Sequence, residues 1–177
     1  MEYTETLTIS TDTVEDTRFE DMVLSHKRSL FLLALSILRN PAEAEEAVQE
    51  SLLKAWRAWE RFPASDDIAA SRRWVTRICV NHCISHRRTL LRRGFFSQQE
   101  PGADLVALNP FRGEGRLVDL DRAYQNLSRK QRAALTLTYF HGYSDAECAE
   151  LMGCGAGSVR THVARGLRGL RREMTHD

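Results

Sequence analysis

Cys79, His82, Cys83 and His86 stand at i, i+3, i+4 and i+7, the spacing of one helix face. Thiolate and imidazole together are zinc chemistry, but one straight helix does not readily wrap four ligands tetrahedrally around an ion. Reduced, buried cysteines are the better reading, so no metal and no other cofactor is expected. A second set offers different chemistry. Ser158, Arg160, Thr161, Arg165 and Arg168, with Arg172 beyond them, crowd one short stretch. Arginines so placed pair with guanine edges or neutralise phosphates. A third set is Arg72, Arg73, Arg77, Arg87, Arg88, Arg92 and Arg93, beside Trp74. An aromatic in a basic stripe can stack on an unpaired base, although Trp74 reads equally well as a core residue. Finally Glu43, Glu45, Glu46, Gln49 and Glu50 gather at what reads as a helix start, where acids complement the helix dipole and a solvated face would suffice to explain them. No phosphate-binding loop, no Gly-x-Ser-x-Gly and no paired carboxylates with a base occur, so catalysis by this chain is not expected.

The elements that position these residues are helices. Ser128 with Gln131, and Ser144 with Glu147, are two capping boxes. The first opens a helix with Leu135, Leu137, Tyr139 and Phe140 as apolar positions, closed by Gly142. The second opens a short helix with Ala146, Ala149, Leu151 and Met152, closed by Gly153. A third helix begins near Ala156, with Val159, Val163, Leu167 and Leu170 inward and the arginines outward. Short helix, glycine turn and basic helix make a helix-turn-helix, whose second helix can enter a major groove. Gly155 can serve as that helix's N-cap. Gly166 and Gly169 inside it cost about 1 kcal/mol each, which predicts a fraying end.

Upstream, residues 1–15 are polar and without period and read as a disordered tail. From Asp16, Phe19, Met22, Val23, Leu30, Leu33, Ala34, Ile37 and Leu38 recur at helical intervals. Asn40-Pro41 breaks that helix and starts the next, to about Phe62, with Val48, Leu52, Ala55, Trp56 and Trp59 as an inner stripe. Residues 63–70 form a polar loop. A helix from about Ser71 to Arg93 follows, with Trp74, Ile78, Ile84 and Leu91 as apolar positions. Residues 94–118 hold two of the four prolines and no period, a linker too long for an ordinary loop. The chain is therefore read as all-α: two small helical domains, 16–93 and 119–177, joined by a flexible linker. The 177 residues carry a net charge of only +1, unevenly spread. Residues 1–63 hold 12 acidic and 7 basic residues, whereas residues 64–93 hold 2 acidic and 7 basic. An acidic surface beside a basic one suits a basic protein partner and a nucleic acid. No apolar run reaches membrane-spanning length and no basic-then-apolar leader opens the chain, so a cytoplasmic protein with reduced cysteines is expected.

Three segments in order resemble a known family. Asn40 to Glu50, with Lys54-Ala55-Trp56 and Arg61-Phe62, is similar to the polymerase-docking segment of extracytoplasmic-function (ECF) sigma factors of the sigma-70 family. Trp74 to Asn81, with Arg87-Arg88, is similar to their −10 segment. The helix-turn-helix, with Tyr139 to Ser144 and Gly157 to Arg160, is similar to their −35 reader. The resemblance implies a region 2-like bundle over 16–93 and a region 4-like domain over 119–177. It implies polymerase binding by Glu45, Glu46, Gln49 and Glu50. It implies −10 DNA binding by Trp74, Arg77, Asn81, Arg87 and Arg88, with Asn81 taking a flipped base; a local cap or bridge is the other reading of Asn81. It implies −35 binding by Ser158, Arg160, Thr161, Arg165 and Arg168. Its implied partners are RNA polymerase core (the β′ clamp and β flap), promoter DNA and an anti-sigma factor, with no membrane. The linker would thread the polymerase, its Glu100, Asp104 and Glu114 suiting a basic channel. Ser85 departs from the family, which commonly has aspartate there. A stand-alone helix-turn-helix regulator and, more remotely, a metal-dependent helical enzyme are the competing functions.

Overall fold

The computed structural model describes residues 11–62, 67–93 and 115–174, the side chains of 11–16, 86–93 and 115–119 excepted. The tail expected over residues 1–10, the loop at 63–66 and the linker over 94–114 lie outside the described residues. Among the described residues seven α-helices follow one another: α1 Thr11–Leu38, α2 Pro41–Arg57, α3 Ile68–Arg93, α4 Gly115–Gln125, α5 Arg129–Leu135, α6 Asp145–Met152 and α7 Ala156–Met174. A 3-10 turn, Trp59–Arg61, follows α2, and a π-helical turn, Thr136–Phe140, continues α5. Among the described residues there is no strand. No helix among them is long and apolar enough to cross a membrane.

Three boundaries differ from the sequence reading. α1 starts at Thr11, inside the stretch read as tail; α3 starts at Ile68, inside the stretch read as loop; α4 starts at Gly115, before the end of the supposed linker. The extensions, 11–15, 68–70 and 115–118, span three to five residues each, about one turn, too short to show a helical period of their own.

Local chemistry sets the joints. Asn40 Oδ1 accepts from Glu43 N at 3.1 Å, and Pro41 fills the first helical position of α2. Arg39 just before it takes φ 64°, the left-handed region, at a cost of about 1–2 kcal/mol for a residue with a Cβ. Its guanidinium is held by Asp121 of α4 and stands 5.8 Å from the Tyr124 ring centroid. Both predicted capping boxes form: Ser128 with Gln131 and Ser144 with Glu147.

α1, α2 and α3 pack on one another, and α4 and α5 pack with α7. The two units then meet: α1 lies on α5, and α3 on α6. One continuous core results, in which Leu33, Ala34, Ile37, Val75 and Cys79 join Ala133, Ala134, Leu137, Cys148 and Leu151. Arg132, 7 % exposed, pins the junction. Its guanidinium donates to Ile37 O at 2.7 Å in the first unit, and to Gln125 O at 3.1 Å and Leu127 O at 2.6 Å in the second. Ile37 O and Gln125 O belong to the last turns of α1 and α4, where helix ends lack intrahelical donors, and Leu127 O lies just beyond α4.

Several side chains sit elsewhere than the apolar pattern assigns. Trp56 is 45 % exposed and is not part of the inner stripe of α2; Ala44, Ala47, Val48, Ser51 and Ala55 are. The buried face of α3 is Val75, Cys79, Val80 and Cys83, while Trp74, Ile78 and Ile84 are half-buried. Tyr139 and Phe140 are 61 % and 67 % exposed. The wider winding that ends in the His141 N to Thr136 O bond at 3.2 Å turns them outward. On α7, Leu167 is exposed and Gly166 buried. A Cβ on Gly166 would stand 2.8 Å from Leu135 Cδ1, and one on Gly169 3.0 Å from Leu127 Cδ2. These glycines let α7 approach α5 closely. The helix runs on past both of them to Met174.

Candidate nucleic-acid interface

The helix-turn-helix is built as its capping residues dictate. Ser144 Oγ accepts from Glu147 N at 3.3 Å, and Glu147 Oε2 accepts from Ser144 N at 2.9 Å. The Ser144 N–H bond first, then the Ser144 hydroxyl donating to Glu147 Oε2 at 2.8 Å, with Arg73 nearby, hold the Glu147 carboxyl below its ordinary range. Gly153, φ 63°, ends α6 in the left-handed conformation, and Gly155 O accepts from Ser158 N and Val159 N to start α7. Val159 then locks α7 into the core.

The outer face of α7 carries the predicted groove residues. Ser158, Arg160, Thr161, Arg165 and Arg168 are all exposed. Arg160 reaches Asp145 at 3.6 Å across the turn, and Thr161 Oγ1 donates to Gly157 O at 2.9 Å. Gly157, Ser158, Thr161 and His162 line an open depression. Burial first, then the charges of Lys130 and Arg165, hold the His162 pKa below its ordinary value.

The predicted residues on α3 are arranged differently. Trp74 is half-buried in an aromatic cluster, 5.9 Å from Trp59 and 4.9 Å from Phe62 between ring centroids. Arg77 and Asn81 face α6 of the other unit. Arg77 stands 4.0 Å from Glu150 and Arg73 3.9 Å from Glu147, both long and exposed pairs. Asn81 Nδ2 donates to Leu151 O at 3.0 Å and to Arg77 O at 2.8 Å. Ser85, where aspartate is common in the family it resembles, donates back to Asn81 O at 2.6 Å within the helix. The Arg87 and Arg88 side chains lie outside the described residues.

The would-be metal ligands diverge. Cys79 and Cys83 are buried, and the thiol contact between them together with burial pushes Cys83 far above the ordinary thiol range. His82 turns to Lys54, with Nδ1 2.9 Å from Nζ. The His86 side chain lies outside the described residues. Among the described residues no three His, Cys, Asp or Glu side chains are grouped to hold an ion.

Glu45, Glu46, Gln49 and Glu50 are exposed on α2. Leu53 and Trp56 continue that surface, 41 % and 45 % exposed. The sequence reading missed both as surface residues, yet 46, 49, 53 and 56 is the spacing of one helix face. Glu43 points instead to Arg129 of α5, at 3.1 Å.

The comparisons with known proteins agree with this layout. Residues 22–93 match the family model described as Sigma-70 region 2, and residues 117–170 match that described as Sigma-70, region 4. The chain is 31 % identical over 151 residues to the ECF RNA polymerase sigma factor SigM of Mycobacterium tuberculosis, covering 83 % of this chain and 72 % of that protein. It is 28 % identical over 165 residues to the RNA polymerase sigma-H factor of Pseudomonas aeruginosa, covering 83 % and 81 %. Among solved structures, the sigma factor RpoE in complex with the anti-sigma factor NepR from Bartonella quintana superposes with a TM-score of 0.70. That match is 25 % identical and covers 91 % of this chain and 99 % of that one.

Proposed function

The chain belongs to the ECF sigma factors of the sigma-70 family, which bind RNA polymerase core, recognise −35 and −10 promoter elements and direct transcription initiation, and we propose that its exposed faces divide that work. α7 reads the −35 duplex: Arg160, Arg165 and Arg168 approach base edges or phosphates, with Ser158 and Thr161 beside them. The observation that carries this is the exposed basic face of α7 behind a fully capped helix-turn-helix. The acidic face of α2, Glu45, Glu46, Gln49 and Glu50, docks on the β′ clamp, and Leu53 and Trp56 supply its apolar part. Exposed Tyr139 and Phe140 offer an apolar contact to the β flap. On α3, Trp74, Arg77, Asn81, Arg87 and Arg88 serve the −10 element, with Asn81 bonding a flipped base. The domain limits that go with this reading are about 16–93 and 119–177, with the first helix of each unit beginning about one turn earlier, at Thr11 and Gly115. The bond forming and breaking belongs to the polymerase; this chain has no catalytic step. It works in the cytoplasm beside core polymerase and promoter DNA, and an anti-sigma factor, as in the RpoE–NepR pair, is its regulatory partner.

Run-off transcription tests the reading. Core polymerase with this chain on a randomised promoter library should yield transcripts from templates that share two spaced elements. Recovery of templates sharing a single element, or no dependence on the added chain, would overturn it.

A further inference from the structure

The first helix of a helix-turn-helix crosses the DNA backbone, so its N-terminus comes near phosphates. Backbone N–H groups at such a terminus favour an anion, and acidic side chains there repel one. The first turn of α6 nevertheless carries two acids, Asp145 and Glu147. Glu147 closes the capping box with Ser144 and already complements the helix dipole. Asp145 has a different partner. Its Oδ2 stands 3.6 Å from Nη1 of Arg160, across the turn on α7. Arg160, Arg165 and Arg168 share the exposed basic face of α7, and among the described residues only Arg160 of the three is paired with an acid. The two side chains are 68 % and 39 % exposed, so the pair adds little to the stability of the fold.

We infer that Asp145 is a positioning residue for promoter reading: it holds the Arg160 guanidinium edge-on to one guanine of the −35 element. The inference rests on Arg160 entering the groove, as proposed above. An unpartnered arginine samples many rotamers and meets whichever phosphate or base acceptor lies in reach. Engaging Nη1 leaves Nη2 and Nε, two donors on one edge that match O6 and N7 of guanine. At 3.6 Å the pair is too long for a hydrogen bond in the free chain. DNA docked on α7 excludes water from it, and the attraction strengthens as the local dielectric falls. The acid therefore has two opposed effects. It repels phosphate on any DNA, which weakens binding to every sequence alike. It also restricts Arg160 to one partner, which raises the penalty for a wrong base. Asp145 lowers affinity and sharpens specificity.

The test uses holoenzyme assembled from core polymerase and the full chain. Its probe is the promoter recovered by the run-off selection, with each −35 position changed in turn to the other three bases. Relative affinities are measured by competition at fixed salt. Arg160→Ala marks the position this arginine reads, where the preference for guanine should fall at least about fivefold. Asp145→Ala should lower the preference at that same position at least about threefold and leave the other positions within about twofold. Its affinity for the template lacking this guanine should rise about two- to fivefold at low salt. Asp145→Glu keeps the charge and should keep the parent's preference within about twofold. Adding Asp145→Ala to Arg160→Ala should lose no further preference. Asp145→Asn, which keeps the side-chain shape, should move the preference in the same direction if the alanine variant fails to fold. An Asp145→Ala variant that binds all templates more tightly by one common factor would overturn the inference and leave the acid as a repellent of phosphate only. Loss of preference at positions that Arg160 does not read would overturn it as well. If Arg160→Ala changes no base preference, the base-reading role of Arg160 falls, and the positioning role of Asp145 falls with it.

Discussion

Arg132 is a charge committed to backbone. Burial lowers its pKa to about 10, so it stays protonated at neutral pH, and its fork satisfies three carbonyls from two units. Replacing it with Met leaves those acceptors without that donor, at about 1–3 kcal/mol for each one that water cannot reach. Urea unfolding of Arg132→Met should show a loss of at least about 3 kcal/mol; a loss under about 1 kcal/mol would mean that water replaces the guanidinium. Nothing in the sequence marked this residue, because a lone arginine beside Gln131 and Ala133 looks like any helix surface charge. The arginines of α7 were legible, since they repeat on one face opposite Val159. For them the expectation is a binding loss: Arg165→Ala should weaken −35 duplex binding by about 1–3 kcal/mol if it contacts a base, measured by anisotropy at fixed salt. If it contacts only phosphate, the loss should instead be uniform across sequences.

Elements were the most legible level. Capping boxes at Ser128 and Ser144 announce helix starts locally, and both formed. The faces were harder. Trp56 was assigned inward because it is large and apolar, yet it is 45 % exposed, with Phe19 in an edge contact at 4.9 Å. Which face of a helix is buried depends on how its neighbours pack, and the placement of α1 and α3 around α2 is not recorded in the pattern of α2 itself. The glycines of α7 test the same point. Gly157 has open space around it, so Gly157→Ala should raise stability by up to about 1 kcal/mol. Gly166→Ala gains the same propensity but forces Leu135 to move, and overpacking costs about 1–3 kcal/mol. Thermal melts should therefore rank Gly157→Ala above the parent and Gly166→Ala at or below it. On α2, Glu46→Lys with Gln49→Ala should weaken assembly with core polymerase while helical content by circular dichroism stays unchanged. Wild-type assembly by that variant would remove this face as the docking surface.

At the scale of the molecule, the packing of the two units on each other was not legible at all. It depends on Val75 and Cys79 of one unit meeting Leu137 and Leu151 of the other, and no local pattern records such a meeting. It does carry a pH signature. His26 of α1 and His141 before α6 both have lowered pKa values, through burial first and the charge of Arg72 on α3 second. A folded value below the unfolded one, about 6.5, means that the unfolded chain binds the proton more readily. The stabilising contribution is complete above that value, is lost as pH falls through it, and levels off once the folded values are passed. Urea midpoints should fall between about pH 7 and 5.5, and His26→Gln with His141→Gln should flatten that slope. An unchanged slope in the double variant would assign the effect elsewhere. The wide separation of Asn81 from Leu151, 70 residues, also sets a schedule. A ribosome adds about 5–20 residues each second, so Leu151 follows Asn81 by about 4–14 s. For that interval every nascent copy carries Asn81 with the α6 carbonyl it will bond still unsynthesised. Each newborn chain is thus open once, before it first closes, and nascent-chain-binding factors or polymerase have those seconds in which to reach it.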